Sequence, residues 1–137
     1  MTPIEKLLER QAECKKIHEK EILPLELNLA DKRRELKEYF LQELNRYHDE
    51  MLKDSNGISI KENDIVKQGK DYFLVKQRHT QILFGDILEN PRIICKKIDK
   101  QLRIGKKDFE FNSSECTELR FIVNATFGIP ENIFSYE

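Results

Sequence analysis

The hydrophobic pattern changes period at Gly57, and this change restricts the fold more than any other feature of the chain. Before it, large apolar residues recur at three- and four-residue intervals among Glu, Lys and Arg, the spacing of helices with one buried face. After it come short runs of Ile, Val, Phe and Tyr punctuated by Gly, Asn, Asp and Pro, the pattern of hairpin-linked strands.

Thr2-Pro3-Ile4-Glu5 is a compact helix start, with Thr2 as cap, Pro3 at the first helical position and Glu5 closing a capping box. A first helix is predicted over Pro3–Lys20, with a narrow stripe of Ile4, Leu7, Leu8, Cys14 and Ile17 that continues to Ile22 and Leu23. Pro24 has no amide hydrogen and disfavours helical geometry at Leu23, so Glu21 to Asn28 is either a break or a kink; a break is favoured, with Asn28 or Asp31 capping a second helix. Leu29, Leu36, Phe40, Leu44, Tyr47 and Met51 align on one side of that helix, which should end near Asp54. Two such helices would most simply pack antiparallel, against each other or against the β unit; their stripes are then internal core first, with any leftover stripe available for dimerisation.

Strands are predicted at Ile65–Lys67, Asp71–Gln77, Gln81–Leu88, Ile93–Ile98, Gln101–Ile104, Phe109–Phe111 and Leu119–Val123. Turns are predicted at Gln68-Gly69-Lys70 and Gly105-Lys106-Lys107-Asp108. The expected fold class is α+β, a two-helix region followed by a small antiparallel β-barrel or curled sheet. The expected domains are residues 1–56 (helical hairpin), 57–127 (β unit) and 128–137 (tail).

The segment Glu62-Asn63-Asp64-Ile65-Val66-Lys67-Gln68-Gly69-Lys70-Asp71-Tyr72-Phe73-Leu74-Val75 resembles the opening hairpin of SH3-like small barrels, including KOW-type modules. These often read Gly-Asp-x-Val, a turn glycine, then an aromatic and a valine. Asn63 stands where those modules usually have glycine. The resemblance covers about a tenth of the chain and implies a barrel used for binding, without naming a ligand.

Catalytic and metal chemistry find little support. Cys14 and His18 share a helix face, but no second ligand pair completes a site. His48-Asp49-Glu50 are consecutive helical residues that diverge by about 100° each, a solvated helix end rather than a convergent triad. His79 is expected in a turn between strands, and Ser113-Ser114-Glu115-Cys116 lacks the glycine elbow of a nucleophile. None of the five glycines makes a phosphate-cradling loop. Cys14, Cys95 and Cys116 are an odd, widely spaced set, as in a reducing compartment. Neither a secretory signal nor a membrane-spanning run is read, so the expectations are a cytoplasmic location, no membrane partner, no cofactor and no metal.

Charge is distributed unevenly. Residues 57–111 hold 12 Lys and Arg against 8 Asp and Glu, whereas residues 1–56 hold 11 against 13 and residues 112–137 hold 1 against 4. Arg92, Lys96, Lys97, Lys100, Arg103, Lys106 and Lys107 gather beside Phe109 and Phe111, a combination able to neutralise phosphates and stack on bases. The same lysines could instead be a solvated sheet face that protects an edge. The tail from Phe127 to Glu137 carries large apolar side chains without a regular period, to be folded back on the core or presented to a partner. The reading is a non-catalytic interaction module for an unidentified protein partner, its helices serving for positioning or as a homodimer contact. The alternative is a nucleic-acid-binding protein that uses residues 92–107.

Overall fold

The computed structural model of the chain describes residues 2–83, 86–87 and 90–135. The protein is α+β, and its contacts divide it into two compact units, Met1–Glu43 and Leu44–Glu137. The division falls inside a long helix rather than after it, so the last turns of that helix belong with the sheet.

From Pro3 onward the N-terminal unit is helical. Helix α1, Pro3–Ile17, starts as its sequence directs: the Thr2 hydroxyl accepts from the Glu5 amide at 3.2 Å, and the Glu5 carboxylate accepts from the Thr2 amide at 3.4 Å. The break and hairpin expected at Pro24 do not occur. A π-helical turn, His18–Ile22, joins α1 to helix α2, Leu23–Met51, and no residue between them leaves the helical path. The Leu23 amide reaches back five residues to the His18 carbonyl. This wider turn shifts the hydrogen-bond ladder immediately before Pro24, which relieves both the missing donor and the clash of its ring with the preceding turn. Every residue from Thr2 to Gln42 is exposed.

The second unit is built on five antiparallel strands in the order β6-β5-β2-β1-β7. They are β1 (Asp64–Gln68), β2 (Asp71–His79), β5 (Arg92–Ile98), β6 (Ile104–Asn112) and β7 (Arg120–Asn124). Among the described residues the sheet is open rather than closed into the barrel that was one of the two expected forms: β6 and β7 are its edges and do not pair with each other. Buried side chains lie on both faces of the central strands. Where a strand was expected over Gln81–Leu88, the two-residue strands β3 (Ile82–Leu83) and β4 (Asp86–Ile87) pair apart from the main sheet, and positions 84, 85 and 88 lie outside the described residues.

Alternation along the strands sorts the core into two layers. Val66, Phe73, Val75, Ile93, Cys95 and Phe111 pack with Leu52 and Ile60, which follow α2, and with Cys116 and Leu119. Ile65, Tyr72, Leu74 and Ile98 point the other way and pack with Ile133 of the tail, assisted by Ile129 and Phe134. The tail therefore packs on the sheet as far as it is described, while Phe127 stands fully exposed. Each fully buried Ile or Leu contributes about 1.5–3 kcal/mol. Cys116 comes from the short helix α3, Ser113–Cys116, which is closed by a second capping box between Asn112 and Glu115.

Two turns fix one end of the sheet. Gly69, at φ 61°, forms the two-residue turn between β1 and β2, as predicted. The turn expected at Gly105–Asp108 is instead extended strand, because β6 runs unbroken from Ile104 to Asn112. The reversal lies at Asp99–Arg103, where Leu102 takes φ 64° and the Asp99 amide donates to the Arg103 carbonyl at 3.0 Å.

Candidate functional site

The β1–β2 and β5–β6 turns lie at the same end of the sheet, since Tyr72 pairs with Ile98. Between them and the short 3₁₀ turn Ile133–Ser135 opens a cleft of about 620 Å³ lined by Lys70, Asp71, Lys97, Ile98, Asp99, Lys100 and Phe134. Asp99 builds one wall. Its Oδ1 accepts from the Gln101 amide at 2.9 Å and the Arg103 amide at 2.8 Å, and its Oδ2 accepts from Arg103 Nε at 3.1 Å. These bonds, the Arg103 amide's first, hold the Asp99 carboxyl below its ordinary value. Phe134 meets Tyr72 edge-on, with ring centroids 4.8 Å apart.

The predicted basic cluster is divided by this geometry. Arg92 pairs with Glu110 at 3.2 Å, Lys96 with Asp108 at 2.7 Å, Lys97 with Asp71 at 3.1 Å and Arg103 with Asp99. Four of the seven cations are thus committed to carboxylates of the same unit. Lys106 and Lys107 lie exposed on the edge strand, where Lys107 Nζ sits 5.1 Å from the Phe109 ring centroid. Only Lys97 and Lys100 of the seven reach the cleft. Lys70, which the sequence reading did not select, joins them through the tight turn at Gly69. Neither Lys70 nor Lys100 has an ion pair among the described residues.

The histidines are placed differently from expectation. His48 is not at a solvated helix end: it is buried, and its Nε2 lies 2.7 Å from the Thr80 hydroxyl. Its neighbour Asp49 pairs at 2.5 Å with Arg78, whose side chain is almost fully buried and also faces Glu62 at 3.4 Å. Burial first, then the Arg78 charge, lowers the His48 pKa from its ordinary 6.5. His79 is the last residue of β2, paired with Arg92, rather than a turn residue. His48 thus touches a hydroxyl, with the charges of Arg78, Asp49 and Glu62 around it, and ties the last turn of α2 to the residue that follows β2. Among the described residues, no group of three His, Cys, Asp or Glu side chains is arranged to hold a metal ion.

The other candidate surface is the helical unit. Ile22, Leu25, Leu29, Leu36 and Phe40 fall within about 60° of arc on α2 and the turn before it. All are solvent-exposed, Leu25 and Leu36 each at 69%. Among the described residues no helix is long and apolar enough to cross a membrane. Comparison with known proteins finds no matching family model, no matching curated protein and no matching solved structure.

Proposed function

We propose that this chain is a non-catalytic interaction module that binds a protein partner through its helical unit, with the sheet unit as its folded support. The observation that carries the reading is the stripe of Ile22, Leu25, Leu29, Leu36 and Phe40, all exposed along α2 and the turn before it, with nothing among the described residues of their unit to bury them. Large apolar side chains aligned in water are a liability to a chain that never covers them, and a groove-binding or pairing partner removes the liability. The likeness of residues 62–75 to the opening hairpin of SH3-like modules fits a binding role. Asn63 takes φ 69°, the left-handed conformation that glycine adopts without strain.

Differential capture tests the reading. The wild-type chain and a Leu25→Glu/Leu36→Glu variant serve as baits, with cross-linking to locate contacts. A partner held by the wild type through residues 3–43 and lost by the variant is the expected result; identical partners for both baits would sink it.

A second reading is favoured by the cleft. Lys70, Lys97 and Lys100 around Phe134 would suit an anionic strand, the lysines meeting phosphates and the ring offering a stacking face. This narrows the nucleic-acid alternative to the turn end of the sheet.

A further inference from the structure

We propose that the partner of the helical stripe is a second copy of this chain, paired antiparallel so that Leu25 of each copy packs on Leu36 of the other and Glu26 of each meets Arg33 of the other. The proposal rests on the reading of the stripe as an interaction surface and adds the occupant and its register.

From Ile22 onward the stripe is a heptad seam. Ile22, Leu29 and Leu36 take one set of core positions, and Leu25, Lys32 and Tyr39 take the other. The flanking positions are Glu21, Asn28 and Glu35 on one side and Glu26, Arg33 and Phe40 on the opposite side. Glu26 and Arg33 are exposed, and neither has an ion pair among the described residues of its own chain. The nearby pairs Lys32–Glu35 at 3.5 Å and Asp31–Arg34 at 3.2 Å engage other residues.

Charge then selects among pairings. A parallel, in-register pair would set Lys32 against its own copy at the core and bring Glu21 beside Glu26, like against like on both edges. An antiparallel pair instead brings each flank against the same flank of the other copy, and only the register distinguishes outcomes. Packing Leu25 on Leu29 of the other copy would oppose Glu26 to itself. Packing Leu29 on Tyr39 would oppose Arg33 to itself. The register between these sets Leu25 on Leu36, Ile22 on Tyr39 and Leu29 on the aliphatic stem of Lys32, and it opposes Glu26 to Arg33 twice by symmetry. It is the register of the three in which the apolar seam and the flanking charges agree.

Sedimentation of the purified full chain under reducing conditions tests this by charge exchange. The wild type should be dimeric at tens of micromolar, and Glu26→Arg or Arg33→Glu alone should weaken self-association at least about tenfold, since each opposes like charges. An equimolar mixture of E26R and R33E should restore a dimer containing one copy of each, because both contacts become Arg to Glu again. A parallel pair could not give this rescue, since Glu26 and Arg33 do not meet in it. Circular dichroism keeps the variants honest: these exposed positions should leave helix content unchanged in dilute solution. A monomeric wild type at about 100 μM, or a dimer indifferent to both substitutions, overturns the pairing. Retention of every captured partner by the Leu25→Glu/Leu36→Glu bait would instead overturn the wider reading of the stripe, so the two failures are separable.

Discussion

The Oδ2 atom of Asp54 accepts a hydrogen bond from the amide of Phe121 at 2.9 Å, tying the loop after α2 to the edge strand β7. Its Oδ1 accepts from the Asn56 amide at 2.9 Å and the Ile58 amide at 2.8 Å, and the side chain is buried. One carboxylate therefore folds the loop and fastens it. Asp54→Ala leaves three amides without their acceptor and should cost about 3 kcal/mol, whereas Asp54→Asn keeps one acceptor oxygen and should cost less. Urea unfolding midpoints of the two variants provide the check, and equal, small losses would contradict it.

The His48–Thr80 contact gives the fold a pH dependence of definite sign. The folded pKa lies below 6.5, so at mildly acid pH the unfolded chain takes up a proton that the folded chain resists. This contribution to stability is complete above pH 6.5 and is lost as pH falls below it toward the depressed folded value. Arg78 and His79 act in the lowering direction, and Glu62 and Asp49 oppose them. Wild type should thus lose more stability between pH 7.5 and 5.5 than His48→Gln, whose amide can still bond the Thr80 hydroxyl. A variant whose loss equals or exceeds the wild type's would remove His48 from the account.

These two anchors were not legible in the sequence, and the reason is physical. The helical wheel of α2 displays Leu44, Tyr47 and Met51 as the obvious apolar face, so His48 beside them reads as solvent-facing until Thr80 is brought across from the end of β2. Local signals fared better where they are self-contained. The Thr2/Glu5 capping box and the Gly69 turn depend on neighbours within a few residues, and both stand as read. Gly105 misled because glycine marks close approach as well as turns. A Cβ there would sit 3.3 Å from the Lys97 carbonyl, beside the bulge in β5, and the true turn is made by the Asp99 side chain. Pro24 misled because a π-helical turn can absorb a proline that an α-helix would not. Of the basic site residues, the sequence could supply charge but not the carboxylates that engage Arg92, Lys96 and Lys97 across strands, nor the turn that folds Asp99 onto Arg103 four residues on.

Thiol reactivity should separate the three cysteines. Cys95 and Cys116 are fully buried, and burial pushes each thiol up to about 12, with their mutual proximity adding to the effect at Cys95. Cys14 is exposed on α1. A thiol reagent at pH 8 should titrate one group in the native protein and three after unfolding, because the thiolate is the reacting form. Rapid native modification of two or three groups would contradict the packing of the first core layer.

Tyr72 carries a hydroxyl that finds no hydrogen-bond partner among the described residues, although its side chain is almost wholly buried. Its ring is well used, against Phe134 on one side and 5.4 Å from Lys67 Nζ. Removing only the hydroxyl should therefore relieve an uncompensated desolvation, and Tyr72→Phe should raise stability by about 1 kcal/mol. A loss of stability in urea unfolding would mean that the hydroxyl is satisfied in solution.

The cleft makes a prediction opposite to that of the whole basic segment. If residues 92–107 bound phosphates as one surface, the exposed edge lysines Lys106 and Lys107 would matter most, having no carboxylate partner among the described residues. If the cleft is the site, Lys70 and Lys100 matter, because they flank Phe134 while Lys97 is held by Asp71. Anisotropy of a labelled single-stranded oligonucleotide should then show binding that weakens steeply with salt, with Lys70→Glu/Lys100→Glu abolishing it and Lys106→Glu/Lys107→Glu reducing it only slightly. The reverse ranking would move the surface to the sheet edge. Absence of binding even at low salt would leave the turn-end lysines as solvating charge and the helical stripe as the remaining candidate surface.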